Sequence, residues 1–596
     1  MRERWILQAK KADFVGIGKR LGIDPVAVRV MRNRGITQEE EADDYLNGGL
    51  DRIHSPHRMK DADLAAGLLE AAIRRGELIG IASDFDNDGI FSGMLLWEGI
   101  RDLGGKAEIY TPHRIMEGYG LNERIVRQAK EEGCRVLLTC DNGIAAFEAA
   151  ALAKELGLTV IITDHHEVPY EDTPSGRQFR LPQADAVVNP KQADCPYPYK
   201  NLCGTGVAYQ LMAILYERFG RGKEEMYRYL DYTAIATVAD VMELNGENRI
   251  LVKEGLNRLH HTKRPGLLAL MEVTGIEPES VTSYHIGFII GPCFNAAGRL
   301  DTVKTAILLL RAQDRETAMK YAAALREMNE ERKNLTLEGA EQAQAMIDQA
   351  QWKDDRVYLV YLPNCHESVA GIIAGRIREK YNRPVLVFAD ALEKGLIKAS
   401  GRSIEAYNMF EELNRCRDLF LRFGGHKMAA GLTMKKEDLP VLRDRLRAQC
   451  MLTDEDLRPV VLIDSPLPLG YISEELISDL ERLEPFGRGN EKPLFAWQHV
   501  TILRITRIGK NKNMLKLQVS TENKTAMDAL YFGDADEFLA FLTGEYGERA
   551  VAQAMRGMGG EIDAAFTYYP QVNEFRNQRS LQIVIQNYCR IPKKKV

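Results

Sequence analysis

Three apolar runs that end abruptly in acids or histidines limit what this chain can fold into. They are IGIASDFDNDG (79–89), VLLTCDNGI (136–144) and VIITDHHE (160–167), each followed by a helical stretch. Runs of this length with a sudden polar end read as buried parallel strands. In open α/β sheets the carboxyl ends of the strands border the ligand crevice. Asp84, Asp86, Asp88, Asp141, His165 and His166 are therefore expected to converge although they lie far apart in the sequence. Mixed carboxylate and imidazole donors suit Mn²⁺ or Mg²⁺, and two such ions roughly 3.5–4 Å apart serve phosphodiester hydrolysis. An Asp-rich turn also caps helices, so DNDG alone decides nothing. Three such segments at successive strand ends point to a two-metal phosphoesterase.

Around these segments strand and helix patterns alternate from about residue 75 to 300, as a parallel α/β sheet requires. The strand units are ELIGIASDF, KAEIYTPH, CRVLLTCD, LTVIITDHH and ADAVVNP. A helical run over 302–350 reads as a connecting helix, and a second α/β unit follows from VYLVYLP (357–363) to about 450. Beyond LRPVVLIDSPLPLG the pattern changes to short strands with glycine or charged turns, the signature of a small β-barrel. Its aromatics Trp497, Tyr531, Phe532, Tyr568 and Tyr569 are candidates for base stacking or for the core. The division expected is a helical segment over 1–70, α/β units over 71–301 and 353–455 joined through 302–352, and a barrel over 456–596.

At 596 residues a single core is not expected. No apolar run approaches the 18 or so residues of a membrane span, and MRERWILQAKK lacks the apolar stretch of a signal peptide. Nine cysteines without a CxxC pair argue against structural zinc or a disulfide framework, so a reducing cytoplasm is the expected setting. The net charge of −6 does not exclude nucleic acid, because a local groove can be positive on an acidic chain. KADFVGIGKRLG (11–22), RITRIGKNKNMLK (504–516) and PKKKV (592–596) are the basic segments.

The chain resembles the DHH phosphoesterases, named for the Asp-His-His found here at 164–166, and within them the RecJ-type single-strand-specific 5′ exonucleases. The resemblance rests on PHRIMEGYGLN (112–122), GTGVAYQL (204–211), TVADVMEL (237–244), GPCFNAAGRLD (291–301), HESVAGIIAGRI (366–377), KASGRSI (398–404) and RFGGHKMAAGL (422–432). These occur in the family's order and cover most of residues 15–435. The resemblance implies a two-lobed core: a parallel-sheet DHH domain, a long connecting helix and a smaller α/β DHHA1 domain. It also implies a C-terminal barrel of oligonucleotide-binding type.

By the same resemblance Asp86 and Asp88 are metal ligands with Asp84 in support, Asp141 bridges two ions, and His165 is a direct ligand. His166 coordinates or orients, and Asp240 completes the set; Asp141, His165, His166 and His426 carry the catalysis. The 5′-phosphate falls to Arg114, Arg299, Ser400 and Arg402, with Gly424, Gly425 and His426 against the substrate. Arginine suits that role because its planar fork donates two hydrogen bonds to one phosphate. Three departures stand out: Cys293 where the family usually carries arginine, Asn87 in the first motif, and CHES at 365–368.

The resemblance thus implies a Mn²⁺- or Mg²⁺-dependent exonuclease releasing mononucleotides from the 5′ end of single-stranded DNA in recombination and repair. A monomer is expected, with a helicase or single-strand-binding protein as conceivable partner and no membrane. Two other classes remain open: a nanoRNase or cyclic-dinucleotide phosphodiesterase, and a non-catalytic single-strand-binding protein. The long chain with its extra barrel speaks against the first, and the complete ligand set against the second.

Overall fold

The computed structural model describes residues 3–590 except 115–116, 174–175, 301–302, 350–351 and 576–577. The basic PKKKV tail, Ile115 and Met116 of the PHRIMEGYGLN motif, and Asp301 thus lie outside the described residues. The chain divides into two compact units, residues 53–459 and residues 3–52 together with 460 onward.

The first unit is built on a parallel sheet. Its strands are β1 (Leu78–Ser83), β2 (Lys106–Tyr110), β3 (Cys134–Cys140), β4 (Thr159–Thr163) and β5 (Ala186–Val188), in the order β2-β1-β3-β4-β5. All five expected strand units are present. The order reverses between β1 and β3, and at that switch point the carboxyl ends of the strands open a crevice. Helix α1 (Asn87–Asp102) follows β1 directly, and α2 (Gly204–Arg218), α3 (Leu230–Ala239) and α4 (Gly291–Leu300) pack around it. Strands β1, β3, β4 and β5 are largely buried on both faces and their sequences are largely apolar, whereas the edge strand β2 alternates, with Lys106 and Glu108 exposed.

The helical run over 302–350 is two helices rather than one. Lys304–Arg311 ends at Ala312, whose backbone is extended, and α5 (Arg315–Gln349) restarts where Asp314 accepts from the Thr317 N–H at 2.8 Å and from its hydroxyl at 2.8 Å. An acidic N-cap starts a helix afresh. The second lobe holds β6 (Tyr358–Tyr361), α6 (Glu367–Tyr381), β7 (Val385–Asp390), β8 (Leu396–Arg402), β9 (Phe420–His426) and β10 (Ala429–Lys435). Its sheet order is β9-β10-β8-β7-β6, parallel only between β6 and β7.

In the second unit β11 (Ser465–Pro466), β12 (Phe495–Ile508), β13 (Met514–Ser520), β14 (Ala526–Tyr531), β15 (Ile562–Phe575) and β16 (Gln578–Arg590) form a barrel, closed by pairing of β12 with β15. Tyr568 is fully buried and donates to the Leu467 carbonyl, and Tyr531 packs on Phe538. These two are core residues, whereas Phe532 is exposed.

The N-terminal segment does not form a piece of its own to residue 70. Residues 3–52 belong to the barrel unit, where Arg4–Leu7 pairs in parallel with Val460–Ile463, and helix Ala62–Arg74 belongs to the first unit. The join is polar: buried Asp464 holds Arg34 at 2.6 Å and accepts from Asn33 Nδ2 at 3.0 Å and the Leu494 N–H at 3.1 Å. Asp464→Ala strands a buried guanidinium and is expected to cost about 3–5 kcal/mol. Chemical denaturation followed in this unit should show it; a loss under about 1 kcal/mol would contradict the role given to Asp464.

Candidate active site

The crevice at the β1/β3 switch point collects the carboxylates. Asp84, the first residue after β1, is fully buried; its Oδ1 accepts a long 3.4 Å bond from Gly120 N–H and its Oδ2 has no hydrogen-bond partner. Asp86 caps α1 by accepting from the Gly89 N–H at 3.1 Å. Gly89 is required by sterics, since a Cβ there would lie 2.5 Å from the Asp84 carbonyl oxygen. Asp88 sits in the first turn of α1 and accepts from the Gly204 N–H at 2.5 Å, the Thr205 N–H at 2.7 Å and the Thr205 hydroxyl at 2.6 Å. The third acid of the motif is thus clamped by the N-terminus of α2, where backbone donors and the helix dipole favour an anion. Asn87 serves the fold: its side chain donates to the Gly291 carbonyl at 3.1 Å and its N–H to Asn295 Oδ1 at 3.1 Å, tying α1 to α4.

Asp141 follows β3 with a positive φ of 60°, a conformation costly for a non-glycine residue and concentrated at functional sites. Its Oδ1 lies 3.1 Å from His165 Nε2, which is also 3.7 Å from Asp88 Oδ2 and 3.8 Å from Asp240 Oδ2. Asp240 reaches the same point from the C-cap of α3. Three sets of side chains bring donor atoms within 4.8 Å of one another: Asp84, Asp86 and Asp141; Asp88, His165 and Asp240; and Asp141, His165 and His166. Asp141 belongs to two of them, as a carboxylate shared between neighbouring ions would.

Burial and crowding set the charge balance of the cluster. Burial, followed by repulsion from neighbouring carboxylates, raises Asp84, Asp86 and Asp141 above the usual carboxylate range and pushes Asp240 up to about 8. Burial also lowers His165, leaving it neutral with a lone pair to offer. Crowded buried acids of this kind are relieved by bound cations, and the unpartnered Asp84 Oδ2 has the chemistry of a ligand atom. The donor set therefore fits hard divalent ions.

Four residues of the site escaped sequence reasoning. Asp164 accepts from the N–H groups of His165 at 2.7 Å and His166 at 3.1 Å, from Ile144 N–H at 2.9 Å, and lies 2.7 Å from His166 Nδ1. Burial opposes its ionisation, but the His166 imidazole holds its carboxyl below the usual range. With Nδ1 engaged, His166 presents Nε2, the arrangement of a carboxylate-oriented metal histidine. Asn142 ties β1 to β3 by donating to the carbonyls of Ala82 at 3.1 Å and Cys140 at 2.9 Å. Tyr119 donates to the Asp141 carbonyl at 2.5 Å and stands 3.2 Å from His166 Nε2, and Thr205 clamps Asp88. Asn142 and Asp164 flank strand ends, and Tyr119 and Thr205 lie within PHRIMEGYGLN and GTGVAYQL, but residue type alone gives none of the four its role.

A second constellation lies beside the first. Arg114, Arg299, Ser400, Arg402, Arg422 and Gly424 line a cavity of about 440 Å³ between the two lobes of the first unit. Arg114 lies over the Phe85 ring at 4.7 Å and within electrostatic reach of Asp86 and Asp84. Burial first, and then Arg114, Arg332 and Arg402, push Arg299 down to about 9; burial, Arg378 and Arg114 lower Arg402. Guanidiniums buried side by side form a receptor for an anion. Gly425 and His426 fall outside this lining, and His426 is exposed near the tip of the β9–β10 hairpin. Cys293 is fully buried, with Asn329 Nδ2 donating to its Sγ at 3.4 Å.

A parallel sheet carrying an acid-and-histidine cluster at its switch point, faced by a smaller lobe, defines a DHH phosphoesterase. Residues 78–237 match the DHH family N-terminal domain, 354–451 the DHHA1 domain and 463–587 the RecJ OB domain. The single-stranded-DNA-specific exonuclease RecJ of Bacillus subtilis is 35% identical over 98% of this chain and 70% of its own length; that of Escherichia coli is 32% identical over 95% and 96%. The crystal structure of RecJ from Thermus thermophilus in complex with Mn²⁺ superposes with a TM-score of 0.80, at 27% identity, covering 99% of this chain and 80% of that one. The chain belongs to the RecJ family.

If Asp164 orients His166 toward a cation, Asp164→Ala weakens Mn²⁺ binding by about 10–100-fold. Titration of free Mn²⁺ by electron paramagnetic resonance reads this; unchanged affinity would remove Asp164 from the site.

Proposed function

We propose that this chain is a divalent-cation-dependent exonuclease that degrades single-stranded DNA from its 5′ end to mononucleotides. The single observation that carries the reading is adjacency: Arg114, part of an arginine-lined cavity, feels the charges of Asp84 and Asp86 in the carboxylate cluster. A terminal phosphate bound by Arg114, Arg299, Arg402 and Ser400 fixes which end of a strand reaches the carboxylates. A strand without that phosphate lacks the charged partner.

Asp84, Asp86, Asp88, Asp141, His165, His166 and Asp240 would hold two ions, Mn²⁺ being the better match to mixed oxygen and imidazole donors, with Mg²⁺ an acceptable substitute. Such ions, when bound, lower the pKa of a water and offset the charge that builds on the phosphate. The protein supplies the rest. Thr205 and Gly204 fix Asp88, Asp164 orients His166, and Tyr119 holds the strained turn at Asp141. Gly424 lets backbone approach the substrate, Gly425 shapes the hairpin, and we assign His426 to the scissile phosphate. A role in recombination and repair, a cytoplasmic setting, a monomeric state and contacts with a helicase or single-strand-binding protein rest on the family resemblance. No helix among the described residues is long and apolar enough to cross a membrane.

The test is incubation with Mn²⁺ and single-stranded DNA labelled at either end, beside a duplex and a dinucleotide. Immediate release of labelled mononucleotide from the 5′ end alone, with the duplex spared and EDTA abolishing activity, is the expected result. Cleavage of the dinucleotide alone would move the chain to the nanoRNase class, and no cleavage would leave binding as its function. Asp141→Ala should abolish turnover while single-strand binding persists; Mn²⁺-dependent turnover by that variant would defeat the assignment. Arg402→Gln should cost about 1.5–3 kcal/mol in preference for a 5′-phosphorylated over a 5′-hydroxyl end. Equal losses on the two ends, measured as kcat/KM, would assign Arg402 to the fold.

A further inference from the structure

A second cavity of the first unit stands apart from the arginine pocket beside the carboxylates. It measures about 1110 Å³ and is lined from the far ends of α1 and α3, by the segment 258–265 and by residues 310–313. Helix geometry separates it from the metal cluster: Trp97 lies nine residues beyond Asp88, about 14 Å along α1 at 1.5 Å per residue. The lining carries six Lys or Arg side chains and His261 against three acids, on a chain whose formal charge is −6.

The three acids are already engaged. Glu98 and Asp231 hold Arg264 at 2.9 Å and 2.8 Å, and Asp102 holds Arg228 at 2.7 Å. Among the described residues no carboxylate lies within ion-pair distance of Arg101, Arg258 or Lys263, and Arg258 and Lys263 are exposed. Arg311 has one distant acid, Glu108 at 3.5 Å, while its Nε and Nη2 are buried with no hydrogen-bond partner, as is Trp97 Nε1. Those donors are closed off within the wall, so the cations left to meet an anion in the cavity are the exposed Arg101, Arg258 and Lys263. The indole does not offer a base-stacking platform, because Arg101 and Arg311 lie over it at 4.7 Å and 4.0 Å.

We propose that this cavity is a second anion site, taking a small ligand with a chain of two or more phosphates, of nucleoside-polyphosphate size. Arginine forks favour phosphate oxygens over a point-charge interaction, and the volume exceeds what a single phosphate fills. α1 carries Asp88 at its start and Arg101 near its end, and α3 carries Asp231 near its start and is capped by Asp240, so both helices that line this site also carry carboxylates of the metal cluster. The site is independent of the exonuclease reading, since none of its residues belongs to the cluster or the arginine pocket.

The experiment is isothermal titration of inorganic tripolyphosphate, and separately of ATP, into the full chain in buffer without divalent metal. Saturable binding is expected, weakened at least tenfold by the exposed double variant Arg258→Gln/Lys263→Gln, and unaffected by Arg402→Gln. Tighter binding of ATP would assign the nucleoside part to the ligand, and equal affinities the phosphate chain alone; both uphold the site. Absence of saturable binding, insensitivity to the double variant, or loss only in Arg402→Gln would overturn it. Displacement by an oligonucleotide lacking a terminal phosphate would do the same, making the cavity part of a DNA track.

Discussion

Mutual repulsion among buried carboxylates is the constraint on which the rest of the first unit depends. Asp84, Asp86, Asp88, Asp141 and Asp240 meet at the switch point of one sheet, and their charges cannot coexist there without compensation. The fold supplies part of it through helix N-termini and backbone donors, most visibly the three hydrogen bonds that Gly204 and Thr205 give Asp88. The remainder is left to cations. A polar network that is only partly satisfied is costly in a folded protein, and here that cost coincides with the chemistry.

The arginine cavity is the complementary case. Burial first, and then the charges of Arg114 and Arg402, push Arg299 down to about 9, so an anion among them relieves strain of the opposite sign. Placed side by side, the two imbalances describe a substrate: a negatively charged end followed by a phosphodiester. In the function proposed above, the polarity of degradation would follow from this juxtaposition rather than from any single residue.

Much of this was legible in the amino-acid sequence because buried parallel strands have a plain signature. All five strands of the first sheet and the acids at their ends were expected, as was the barrel after residue 460. What escaped depends on long-range pairing or on geometry. The parallel ladder between Arg4–Leu7 and Val460–Ile463 leaves no local mark, so residues 3–52 could not be joined to the barrel. The restart of α5 at Asp314 hid inside continuous helical propensity. Asp164 was read as part of the name-giving triplet, yet its work is to orient His166, which only coordinates reveal. The chemistry-bearing residue types were visible; their division into ligands, clamps and orienting groups was not.

In the proposed function two cations would complete the acid cluster, with Asp141 able to serve both. Equilibrium dialysis of the full chain against Mn²⁺ counts them directly. Two ions per chain, falling to one or none in Asp141→Asn with the fold intact by circular dichroism, is the predicted result. Two ions retained in that variant, or no ion bound to the unaltered chain, would contradict the account.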